Sequence, residues 1–91
     1  MTLFRAPLSE RIELAVKRVA DARSNIEYHR YMCDFFYQER TKITPQTSAA
    51  NAYEYARLFE QQEFHAQDKI AAERKYNEAA AKLAALRKSN A

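Results

Sequence analysis

The residues with the most chemistry open to them lie between Glu27 and Lys42, in the stretch EYHRYMCDFFYQERTK. On a helix, His29 and Cys33 are four residues apart and share one face, which is half of a transition-metal site. There is no second cysteine and no Glu-x-x-His pair to complete it. His65 has Gln61, Asp68 and Lys69 around it, the setting of a solvated helix face. His29 and Cys33 are therefore read as core or boundary side chains, and no metal or cofactor is expected.

Acid and base catalysis needs carboxylates that converge on a pocket from several elements. Here Glu10, Glu13, Glu54, Glu60, Glu63, Glu73 and Glu78 are strung along helix surfaces beside lysines and arginines, which reads as solvated ion pairs. Cys33 has His29 at i−4, but a catalytic thiol also needs an oriented base and oxyanion donors. The chain contains no glycine. Phosphate-cradling loops and dinucleotide turns, which need positive φ or close backbone approach, are thereby excluded. The sequence points away from an enzyme.

The aromatic residues read more directly as a contact surface. Tyr28, Tyr31, Met32, Phe35 and Phe36, with Arg30 and Arg40 at the rim, match the composition of protein interface centres, where tyrosine buries its ring and keeps its hydroxyl wet. A second reading uses the same side chains with His29, Tyr37 and Lys42 to stack bases and meet phosphates. Glu27, Asp34 and Glu39 interleave with those cations, and 15 basic against 12 acidic residues leave a net charge of only +3. The protein-binding reading is the stronger.

Helices must carry these residues. Two prolines, no glycine and seventeen alanines in 91 residues make a composition of long helices in a single domain spanning 1–91. Leu8, Ile12, Ala15, Val19, Ala22 and Ile26 recur at three- and four-residue steps, so a first helix is expected over about 8–38, started by Ser9 or the Ala6-Pro7 step. Periodicity then lapses. Thr44-Pro45 reads as a cap followed by a first-turn proline, giving a second helix over about 45–88 and a turn near Glu39 to Thr44. At about 1.5 Å per residue the second helix outreaches the first, roughly 65 against 45 Å. The expected fold is an all-α antiparallel two-helix hairpin.

Placed at 100° steps, the apolar residues change face along both helices. Cys33 and Tyr37 continue the first stripe, whereas Tyr28, Tyr31, Met32, Phe35 and Phe36 fan out on the other side. On the second helix Ala52, Ala56, Phe59, Ala66 and Ile70 form one stripe, and Ala72, Tyr76, Ala79, Leu83 and Leu86 form nearly its reverse. This predicts a bend or change of partner near Ala71 to Lys75 and argues against a regular two-stranded coiled coil. It also leaves apolar surface that one hairpin cannot cover, so dimerisation into a four-helix bundle is expected.

Secreted helical hairpins built on a Trp-x-Gly turn are not resembled, since Trp and Gly are both absent. MTLFRAPLSER is too short of apolar residues for a signal segment, and no run reaches the length of a membrane span. One cysteine needs no oxidising compartment. The expectation is a cytoplasmic, non-catalytic adaptor, assembly factor or small inhibitor that binds protein, itself included.

Overall fold

A computed structural model describes residues 6–89 as two long antiparallel helices packed side by side, α1 (Leu8–Thr41) and α2 (Ala49–Ser89). The expected all-α hairpin is what forms. Its rod measures 67 × 28 × 14 Å and has a radius of gyration of 20.3 Å. A compact chain of similar length has about 13 Å.

The start of α1 follows from the Ala6-Pro7 step rather than from Ser9. Pro7 sits just outside the helix with ψ 151°, and its carbonyl accepts the first helical hydrogen bond from Arg11 N–H at 3.1 Å. Ser9 lies inside the first turn, next to Glu10, whose carboxylate suits a helix start. At its other end α1 runs three residues past the expected Gln38. Without glycine there is no left-handed cap, and the last turn tightens instead: Lys42 and Ile43 N–H donate to the carbonyls of Glu39 and Arg40. No described residue has positive φ.

The start of α2 differs from the expectation by four residues. Thr44 is not its cap and Pro45 is not in its first turn. Thr44 to Thr47 form a β-turn closed by Thr47 N–H to Thr44 O at 3.2 Å. Pro45 occupies the second position of that turn, where its fixed φ also fits. The cap is Ser48, whose hydroxyl accepts from Asn51 N–H at 3.1 Å. Asn51 Nδ2 donates back to Thr47 Oγ1 at 2.6 Å, tying the turn to the helix it precedes. The reversal therefore occupies residues 42–48, later than expected. α2 is about 10 Å longer than α1.

One seam joins the helices from end to end. The seam-facing side chains, all buried or half-buried, are Leu8, Ile12, Ala15, Val19, Ala22, Ile26, His29, Cys33, Phe36 and Arg40 on α1. On α2 they are Tyr55, Leu58, Gln62, His65, Lys69, Ala72, Tyr76, Ala79, Leu83 and Leu86. Both series alternate steps of three and four. The face does not switch, and α2 is continuous through Ala71 to Lys75. The expected change of face came from stepping around a straight helix, which drifts about 20° per heptad, whereas a supercoiled pair keeps every 3.5 residues or so in register. Phe36 accordingly lies in the seam and Tyr37 outside it. Of the expected stripe, Ala52, Ala56, Phe59 and Ile70 are exposed and only Ala66 is half-buried, while a more polar stripe beside it is covered.

The core is small. Only Ala15, Ala22, Leu58, Ala72 and Leu83 are buried among the described residues. With so little margin, single contacts count. Ser48→Ala is expected to cost about 1 kcal/mol by removing the cap, read as a lower Tm in thermal melts followed by circular dichroism; an unchanged Tm would mean that the turn holds α2 without it.

Candidate functional site

The seam is least oily where the sequence placed its chemistry. His29 and His65 meet from opposite helices with Nδ1 to Nδ1 at 2.9 Å, so one ring donates and the other accepts. His65 is thus a seam residue, not part of a solvated face. Phe36 stacks on the His65 ring with centroids 5.7 Å apart, and Tyr28 meets it edge-on at 5.9 Å. One turn further, the Cys33 thiol donates to the Gln62 carbonyl at 3.6 Å. His29 and Cys33 lie on the core side, as expected. No group of three or more metal-ligating side chains occurs among the described residues.

Burial pushes the Cys33 thiol above its ordinary titration range, and Asp34 and Glu63 add to this, against a lowering by Lys69. The thiol is therefore a weaker source of thiolate at neutral pH than a free cysteine. This fits a packing role.

Arg40 closes the seam at the turn end. Its Nε donates to Gln62 Oε1 at 3.1 Å and its Nη1 to Tyr55 Oη at 2.6 Å. The guanidinium also lies 5.2 to 5.3 Å from the ring centroids of Tyr37, Tyr55 and Phe59, an arrangement that only a planar cation satisfies. Arg40, expected at the rim of a contact patch, is instead engaged within the hairpin. Arg23 repeats the theme more loosely, donating to Tyr76 Oη at 3.3 Å.

The remaining members of the expected patch divide. Tyr28, Tyr31 and Phe35 are 53%, 67% and 44% exposed, and their i, i+3, i+7 spacing puts them on one side of α1. Met32 is half-buried beside them, and Phe36 is half-buried in the seam. Arg30 is exposed, but two residues from Tyr28 is more than half a turn around, so it emerges on the opposite flank.

α2 contributes exposed aromatics that its local sequence pattern does not mark as surface. Phe64, at 56% exposure, emerges on the flank of Tyr28, whereas Phe59, at 45%, belongs to the flank of Tyr37 and Arg40. A heptad frame phased on Leu83 and Leu86 and carried back along α2 finds both positions off the seam. No family model, curated protein or solved structure matches this chain.

Two outcomes test the seam. His29→Leu and His65→Leu singly are each expected to lose about 1 kcal/mol, because each strands a ring nitrogen or its partner, while the double variant should recover most of the loss. Strictly additive losses in denaturant melts would show that the two rings do not share a bond. Cys33 should alkylate with iodoacetamide several-fold more slowly than a free thiol at pH 7.5 and speed up as pH rises; equal rates would contradict the effect of burial.

Proposed function

We propose that this chain is a non-catalytic protein-interaction module, an adaptor, assembly factor or small inhibitor, whose aromatic patch on the turn half of the hairpin is covered by another polypeptide. One observation carries the reading. Leu14, Val16, Tyr28, Tyr31, Phe35, Tyr37, Tyr53, Phe59, Phe64 and Ile70 are all exposed, while Leu58 and Leu83 are the only buried described residues larger than alanine. Apolar surface on that scale, aromatic and rimmed by charge, is what association sites present. No described helix is long and apolar enough to cross a membrane. We place its work in the cytoplasm, where a lone thiol stays reduced.

The aromatic and basic mixture would also suit a nucleic acid, but the arrangement favours protein. Arg40 is engaged inside the hairpin, and Arg30 leaves on the far flank from Tyr28. The module reading is tested by following the chain in native lysate by sedimentation. Wild type should travel in a species heavier than the single chain of 10.6 kDa, and Tyr31→Ala with Phe35→Ala should shift it to the single-chain position with helicity unchanged. A wild-type chain that sediments alone would overturn the reading. Loss of the heavier species on nuclease treatment would replace protein by nucleic acid as the partner.

A further inference from the structure

The exposed aromatics and a row of hollows lie on the same flank of the rod, at opposite ends. Toward the termini one hollow of about 290 Å³ is floored by Ala22 and Ala79 and walled by Arg18, Lys75 and Lys82. The next, of about 280 Å³, is lined by Leu14, Ala15 and Leu86 with Arg11, Arg18 and Lys82. Toward the turn this flank carries projections, Tyr28, Tyr31 and Phe35 from α1 and Phe64 from α2, and Phe64 also walls a hollow of about 300 Å³ with Glu60, Glu63 and Gln67.

Charge divides in the same way. In the hollow half, Arg11, Arg18, Lys75 and Lys82 make no ion pair among the described residues, and of the two acids there, Asp21 and Glu78, the first is held by Lys17 at 3.0 Å. In the projecting half, Glu39, Glu54 and Asp68 stand against two cations, Lys42 and Arg57. The pairs Glu39 with Lys42 and Glu54 with Arg57 are exposed, and such pairs are worth too little to hold those carboxylates against a better partner. Arg11 Nε is a buried donor with no acceptor, and a carboxylate is the group that would satisfy it.

We propose that a second copy of the chain docks on this flank in antiparallel fashion, about a two-fold axis that crosses the rod near Asn25 and Ala71. The inference rests on the reading that the patch is covered by a polypeptide, and it names that polypeptide. The rotation exchanges positions equally far from the axis along α1. Phe35 meets the partner's Leu14 in the apolar hollow, Tyr31 meets the partner's Arg18 in cation–π range, and the Tyr28 hydroxyl is within donating reach of the partner's Asp21 carboxylate. Glu39 arrives at the partner's Arg11, whose Nε lacks an acceptor. Each contact occurs twice, as an isologous interface requires. A two-fold axis along the rod would instead set aromatics on aromatics and four cations on four cations. The short side chains of Ser24, Asn25 and Ala71 permit close approach at the axis. A flank of 67 × 28 Å is more than the roughly 800 Å² per partner that standard stable interfaces use.

A charge exchange tests both the partner and the orientation. Purified wild type should have twice the mass of the 10.6 kDa chain by light scattering. Arg11→Glu alone and Glu39→Arg alone should each raise the dimer Kd at least about tenfold by setting like charges together, and an equimolar mixture of the two should regain wild-type dimerisation, with circular dichroism confirming that each variant is helical. A second measurement does not depend on Arg11: in a Cys33→Ser background, chains carrying Leu14→Cys should form a disulfide with chains carrying Phe35→Cys faster than either forms with itself. A wild type of single-chain mass, variants that still dimerise alone, a mixture that does not recover, or no preferential crosslink would each overturn the proposal. If the purified chain is single but sediments as a heavier species in lysate, self-docking fails while the protein-binding reading stands; a chain that is single in both ends both.

Discussion

Two helices side by side can hide only the stripe that each presents to the other, and every other property of this protein follows from that geometry. A hairpin has no third element to cover its flanks, so apolar residues off the seam must face solvent or another molecule. Residues on the seam are covered whatever their chemistry. The covered stripe of α2 includes Gln62, His65 and Lys69, while Phe59, Phe64 and Ile70 remain outside. Burial is assigned by register along the rod, not by hydrophobicity alone.

The seam compensates for its polar middle with directional contacts. The imidazoles of His29 and His65 satisfy one another, the Cys33 thiol finds a backbone carbonyl, and Arg40 distributes its donors between Gln62 and Tyr55 while its plane rests among three rings. Such contacts add little net energy in partly hydrated surroundings, but leaving them unmade is costly. They fix which residues of α1 stand opposite which of α2. Alanines at Ala15, Ala22, Ala72 and Ala79 could pack in several registers, whereas a histidine pair and a chelated guanidinium accept one. That register also creates the flank, because it brings the cations of α1 and α2 together at one end and the aromatics together at the other.

The gap between pattern and structure is instructive at particular residues. The fixed φ of Pro45 suits a helix start and equally the second residue of a β-turn, and Ser48, a better placed cap, decides the competition. Tyr37 and Phe36 exchanged roles because a helix in a supercoil is slightly underwound. His65 looked solvated from its own neighbours in sequence, since nothing near it announces the ring that approaches from the other helix.

Composition and local spacing determined a great deal without coordinates: the absence of glycine and the alanine-rich periodicity dictate two long helices joined by one short reversal, and the crowding of rings between Tyr28 and Phe36 marks where one helix carries more aromatic surface than a single seam can hide. These are properties of contiguous chain, and helical periodicity reports them directly. What only the tertiary structure decided is pairing. The contact of His29 with His65, the enclosure of Arg40 and the segregation of projections from hollows on one flank depend on the relative rotation and register of two helices whose contacting residues lie up to several dozen positions apart in sequence. That alignment is set by the sum of many small contacts along the rod, and no local pattern encodes it.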